Sequence, residues 1–229
     1  MQPKFWRDRW ESGQIGFHQA EPNPLLDHYW PALAIPQGAR VFVPLCGKSL
    51  DMHWLREQGH EVLGVELSPI ATREFFEEAG LEYEVEKHGG FERFAGGGYE
   101  LLSGDFFDLS AEDFRRVEAG YDRASLIALP PELRRRYAEK MAELLQPGTR
   151  TLLLTLEYDQ SKMNGPPHSV PPDEVESLFG RDFDLDRLET RGPEKPTPKF
   201  QERGLDVWTE HVFVLTRRGS TSAGAGPAR

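Results

Sequence analysis

The chain has 229 residues, 38% of them hydrophobic and 11% aromatic, enough to bury one sizeable core within the range of a single α/β domain. A formal net charge of -11 and a pI near 5.2 argue against nucleic acid and anionic membrane as partners, because polyanions need a concentrated basic surface, and no apolar stretch reaches the length of a membrane span. The lone Cys46 can form no internal disulfide, and the N-terminus MQPKFWRDRWESG lacks the apolar core of a signal peptide, so a small-molecule partner and a cytoplasmic location are expected.

In chain order, residues 1–35 read as an N-terminal arm in which Trp6 and Trp10 share one face if the segment is helical. Pro31, Pro36 and Gly38 separate the arm from the body. A strand over Arg40 to Pro44 leads into a turn at Gly47, then a helix over Leu50 to Gln58 that Gly59 closes. A second strand runs from Glu61 to Leu67. Ser68-Pro69 then starts a helix as N-cap and first-turn proline, and it runs to about Ala79. Residues 83 to 109 predict a strand, a hairpin through Gly96-Gly97-Gly98, and another strand ending near Asp105. Strand four is placed at Tyr121 to Leu129, followed by a helix from Pro130-Pro131 to just before Pro147. Thr151 to Leu156 is continuously apolar, as in a parallel strand covered on both faces. After a proline-rich loop (Gly165 to Pro172) and a short helix (Asp173 to Phe179), two strands near 183–190 and 205–216 follow with no helix expected between them. The run GSTSAGAGPAR, residues 219–229, predicts a floppy tail after a single domain over 1–218.

The strand, loop, helix, strand unit from Arg40 to Leu67 is a nucleotide-binding half-site. Gly47 lets a ligand approach the backbone, the next helix turns free N–H groups to the same crevice, and Glu66, nineteen residues after Gly47, suits a carboxylate that binds ribose hydroxyls. Three readings compete. A P-loop needs a glycine five positions before Gly47, where Phe42 stands. A dinucleotide turn needs two more glycines, where Ser49 and Met52 stand. A cofactor with a ribose but no phosphates, such as S-adenosylmethionine, fits what remains. Taken singly, Gly47 would be an ordinary turn glycine and Glu66 a solvated strand end; the spacing joins them.

The segments WRDRWESGQIGFHQAEPNPLL, VFVPLCGKSLDM, GHEVLGVELS, YDRASLIAL and GPPHSVPPDEVESLFG resemble those of thiopurine S-methyltransferases, bacterial members especially, over about residues 5 to 217. The resemblance implies a class I methyltransferase: a Rossmann-like, seven-stranded mixed sheet with helices on both faces. It also implies a monomer acting in detoxification, with S-adenosyl-L-methionine as cofactor and thiopurines or related small aromatic thiols as acceptors. Some bacterial relatives are associated with selenium or tellurium oxyanions. Carried over by position, it assigns cofactor contacts to Trp10, Leu45, Glu66 and Arg123, beside the Gly47 already read from the turn, with Asp105 and Phe106 flanking the adenine. Phe17, with Trp6 and His18 beside it, falls to the acceptor side, and Arg123 is also a candidate for positioning the acceptor. Ala124 replaces a glycine common in the family, which tightens the backbone near the transferred methyl.

Methyl transfer from a sulfonium is an in-line displacement, so alignment and exclusion of water are the main devices. Aromatic thiols ionise readily, and no strong general base is required for them. The aromatic faces of Trp6, Trp10 and Phe17 suit a sulfonium cation. Against Arg123 as a site residue stands a surface arginine paired with Asp122 or Glu132. Cys46 reads as a small residue packed under the cofactor rather than a nucleophile, and the seven histidines show no metal-binding spacing. Arg134 to Arg136 reads as a solvated helix face. Further acceptor contacts are expected from the proline-rich loop and from 193–204. The rivals are a methyltransferase for another small thiol or a halide, a dehydrogenase, and a non-catalytic cofactor-binding module.

Overall fold

The computed structural model describes residues 3–219. Its centre is a sheet of nine strands: β1 (Arg40–Val43), β2 (Glu61–Glu66), β3 (Glu84–His88), β4 (Phe91–Gly96), β5 (Tyr99–Ser103), β6 (Val117–Asp122), β7 (Arg150–Glu157), β8 (Phe183–Glu194) and β9 (Trp208–Arg217). They lie in the order β3-β4-β5-β2-β1-β6-β7-β9-β8. β5, β2, β1, β6 and β7 run parallel, and β9 and β8 close one side antiparallel. The expected count of seven is corrected to nine, because β3 and β4 form an extra antiparallel pair outside β5. Without that pair the order is the seven-stranded one.

Among the described residues seven α-helices connect and flank the strands: α1 (Pro3–Glu11), α2 (Pro24–Tyr29), α3 (Asp51–Glu57), α4 (Pro69–Glu78), α5 (Pro131–Leu144), α6 (Pro172–Phe179) and α7 (Pro198–Gln201). Their starts follow local chemistry. Asn23 accepts from the Leu25 amide and Ser68 caps α4, while prolines occupy the first turns of α2, α4, α5, α6 and α7. Alternation along β1 splits the core: Phe42 joins Leu153, Tyr137, Met141 and Phe179 on the α5 and α6 face. Val41 and Val43 join Leu26, Trp30, Leu55 and Phe76 on the other. Six consecutive residues of β7 are buried, as a strand covered on both faces requires.

Three expectations are corrected. Strand four is β6, ending at Asp122; the apolar residues after it form a one-turn 3-10 helix, Leu126–Ala128, buried against the core rather than extended. The last two strands are joined through a helix after all, the four-residue α7, which starts at Pro198. Two hairpins, not one, fill 84–103, the second turning at Gly97 and Gly98, both at positive φ. The tail expected from 219 lies, from residue 220 onward, outside the described residues.

The parallel strands end at one edge of the sheet. β1 has β2 on one side and β6 on the other, so their connections part there and leave a crevice beyond the carboxyl ends.

Candidate active site

Beyond β1 the chain turns sharply. Leu45 and Gly47 both adopt left-handed backbone, φ 43 and 54, and the intervening Cys46 amide donates to the Val65 carbonyl at 3.0 Å, pinning the loop to β2. A β-carbon at Gly47 would lie 3.3 Å from Cζ2 of Trp10, so the indole of α1 covers the loop at van der Waals range.

Glu66 ends β2, buried, and its carboxylate takes an amide on each oxygen: Gly47 N–H donates to Oε2 at 2.9 Å and Ser68 N–H to Oε1 at 2.8 Å. Each oxygen retains a lone pair, and the residue lines a cavity of about 830 Å³. Burial pushes the Glu66 carboxyl above its ordinary range, opposed by the amides of Ser68, Gly47 and Leu67. The Gly104 amide donates to the Glu66 carbonyl at 2.9 Å, drawing in the loop after β5. There Asp105 accepts from the Phe107 amide at 2.9 Å and starts a 3-10 turn that buries Phe106.

Arg123 follows β6. Its Nε donates to Oδ2 of Asp51 at 2.7 Å and its Nη2 to Oγ of Ser49 at 3.2 Å. Asp51, 1% exposed, also accepts from the Tyr121 hydroxyl at 3.1 Å and, on Oδ1, from the Asn23 amide at 2.7 Å. Arg123 is therefore no surface arginine paired with Asp122 or Glu132; it is held against α3. Asp122 is buried and accepts instead from the Tyr137 hydroxyl at 2.6 Å and the Ser125 amide at 3.0 Å.

The arm closes over this floor. Trp10 is buried, Trp6 half-buried and Phe17 40% exposed, with Phe17 meeting Trp6 edge-on at 5.5 Å and Trp10 at 5.6 Å. Burial, then the charge of Lys48, holds the His18 pKa below its ordinary value, so the ring is neutral at neutral pH. Opposite the arm, Pro166, Pro167, Lys199, Phe200, Trp208 and Glu210 complete the wall. Lys199 bridges to the Gly16 carbonyl, and Arg203 donates to the Pro166 carbonyl at 3.1 Å.

All ten residues singled out in the sequence border this one cavity: Trp6, Trp10, Phe17, His18, Leu45, Gly47, Glu66, Asp105, Phe106 and Arg123. The sequence reading missed Asp51 and Glu210. Asp51 left a faint signal, an acidic residue in the first turn of a predicted helix four positions after Gly47; Glu210 left none. It also read Arg134 as solvated, whereas that side chain is 1% exposed, with Nε donating to the Leu129 carbonyl and Nη1 to Glu174.

The residues present fit a phosphate-free nucleoside. Lys48, which a P-loop would aim at phosphates, is turned away to Glu74 at 2.8 Å and Glu78 at 2.6 Å. Cys46 is buried, and that burial drives its thiol pKa well up, which removes it as a nucleophile. Among the described residues no three His, Cys, Asp or Glu side chains gather as metal ligands, and no helix is long and apolar enough to cross a membrane.

Comparison with known proteins agrees with this geometry. A family model described as thiopurine S-methyltransferase matches residues 1–218. The chain is 48% identical to a thiopurine S-methyltransferase of Methylococcus capsulatus, covering 96% of this chain and 100% of the relative. It is 50% identical to a probable thiopurine S-methyltransferase of Yarrowia lipolytica, covering 94% and 100%. Among solved structures, a Burkholderia thailandensis 1,6-didemethyltoxoflavin-N1-methyltransferase with bound 1,6-didemethyltoxoflavin and S-adenosylhomocysteine aligns at TM-score 0.62 and 18% identity, over 95% of this chain and 87% of that one. An S-adenosylmethionine-dependent methyltransferase of Anabaena variabilis aligns at TM-score 0.64 and 13% identity, over 94% and 95%. These two likenesses establish the fold.

Proposed function

The chain belongs to the thiopurine S-methyltransferase family, and from that membership we propose how its cavity divides the reaction between donor and acceptor. The activity is transfer of a methyl group from S-adenosyl-L-methionine to the sulfur of thiopurines or related small aromatic thiols. When bound, the donor supplies an electrophilic methyl on a sulfonium.

In this reading Glu66 receives the ribose hydroxyls on its two open lone pairs, Leu45 and Gly47 bring backbone against the donor, and Asp105 and Phe106 flank the adenine. Trp10 covers the donor loop. Arg123, fixed by Asp51, offers its remaining N–H groups to the donor carboxylate or to an anionic acceptor. Trp6, Phe17 and His18 form the acceptor's roof and keep water from the sulfur pair, so that alignment supplies most of the rate. The single observation that supports the division is the convergence of these residues on one cavity beyond the carboxyl ends of β1, β2 and β6.

The same reading takes residues 1–218 as one catalytic domain with 1–35 as its lid, working as a cytoplasmic monomer in detoxification of soft nucleophiles. Radiolabelled methyl transfer to 6-mercaptopurine tests it: wild type turns over, while Glu66→Ala and Arg123→Ala fall at least about tenfold. A wild type no faster than both variants would favour a cofactor-binding module. Gel filtration with light scattering tests the monomer.

A further inference from the structure

Glu210 is the one carboxylate of the acceptor wall described above. It stands on β9, opposite Leu156 of β7 and Arg191 of β8, in the half-exposed strand end that also carries Trp208. Among the described residues it forms no hydrogen bond and no ion pair within 4 Å, although every other charged group on that wall has a partner. Lys199 reaches Gly16 and Arg203 reaches Pro166. Arg191 lies near enough to act through space but leans to Glu194 at 3.8 Å. On the neighbouring strands, Glu157 and His211 are taken up by each other at 2.8 Å, with Thr190 on the second ring nitrogen at 3.1 Å. The Glu210 carboxylate is half-buried and has no protein partner, so its oxygens are open to a ligand that fills the acceptor space.

We propose that Glu210 is the proton acceptor for heteroaromatic thiones, acceptors that carry a ring N–H beside the C=S group. This rests on the methyltransferase reading of the cavity. A simple aromatic thiol ionises by itself and needs no base. A thione cannot be S-methylated to a neutral product until its ring N–H is lost. Glu210 takes that proton: the N–H bond breaks, its electron pair closes the C=N bond of the ring, and the C=S pair moves onto sulfur. Sulfur then forms the new bond to the methyl carbon as the methyl–sulfonium bond breaks, its pair staying on the donor sulfur. The proton on Glu210 passes to solvent when the product leaves. Burial, with Glu194 adding to it and Arg191 opposing, holds the Glu210 carboxyl above its ordinary range, toward the basicity such a transfer needs.

The test uses the full chain, 6-mercaptopurine as the thione and thiophenol as the acceptor without a ring N–H. In the dead-end complex with S-adenosylhomocysteine, bound 6-mercaptopurine followed by its ultraviolet spectrum should titrate at higher pH in wild type than in Glu210→Gln, because an ionised carboxylate beside the ring N–H holds the neutral thione and repels its anion. The ratio of kcat/KM for 6-mercaptopurine to that for thiophenol should fall about 100-fold in Glu210→Gln, the low end of what a positioned base contributes, and recover in part in Glu210→Asp. Equal losses with both acceptors, or an unaltered titration and ratio, would overturn the assignment while leaving the methyltransferase reading intact. A wild type that binds S-adenosylhomocysteine yet methylates neither acceptor would overturn both.

Discussion

The guanidinium of Arg123 is locked to the carboxylate of Asp51 across 72 positions of sequence, Nε to Oδ2 at 2.7 Å. Through Asp51 the same contact reaches the Tyr121 hydroxyl and the Asn23 amide, so the end of β6, the start of α3 and the N-terminal arm share one anchor. The arm is thus tied to the site by polar chemistry as well as by its tryptophans.

Removing that anchor strands a cation in a low-dielectric wall. Asp51→Ala should cost about 3 kcal/mol of stability, measured by urea unfolding, and weaken S-adenosylhomocysteine binding by at least about tenfold. Asp51→Asn can keep the bond to Asn23 and should lose less of both. Equal losses in the two variants would assign the whole anchor to the charge, and an Asp51→Asn as stable and as tight-binding as wild type would show that the charge is irrelevant.

Glu66 predicts a pH dependence of donor binding. Burial holds its carboxyl above the ordinary value of 4.5, so the folded chain takes up this proton before the unfolded chain does. The corresponding stability is fully present below the ordinary value and is lost as pH rises through the raised one. Binding has the opposite sign, because ribose hydroxyls donate best to the ionised carboxylate. Donor affinity, followed by calorimetry, should fall as pH drops through a midpoint above 4.5, and Glu66→Gln should abolish that step. A step that persists in the variant belongs to another group.

The two arm tryptophans should separate. Trp10 is 6% exposed and lies against the Gly47 turn, whereas Trp6 is half-buried and meets Phe17 edge-on. Trp10→Ala should cost about 3 kcal/mol, by thermal or urea unfolding, along with donor affinity. Trp6→Ala should cost markedly less stability and raise KM for the acceptor more than Kd for the donor. The reverse ranking would contradict the placement of the arm.

Much of the fold was legible in the sequence because its parallel core is written in local signals. Ser68-Pro69 starts α4, glycines close helices, and the apolar run of β7 fits burial on both faces. The pairing of Gly47 with Glu66 was legible through their spacing, which the structure turns into a 2.9 Å hydrogen bond. What escaped was settled by tertiary contact. The segment 123–129 is apolar because a 3-10 turn packs into the core, and period alone cannot tell that from a strand. α7 has only four residues and little periodicity to read. β3 is almost wholly exposed and carries no apolar stripe. Asp51 and Glu210 matter through partners, or the lack of them, far away in sequence.

The direction in which Glu66 points when the donor is bound decides the donor side of the cavity. A crystal structure of the full chain with S-adenosylhomocysteine should place both ribose hydroxyls about 2.7 Å from the Glu66 carboxylate, with the Gly47 and Ser68 amides still donating to it. A nucleoside bound in this cavity with its ribose turned from Glu66, or bound elsewhere on the chain, would contradict that placement.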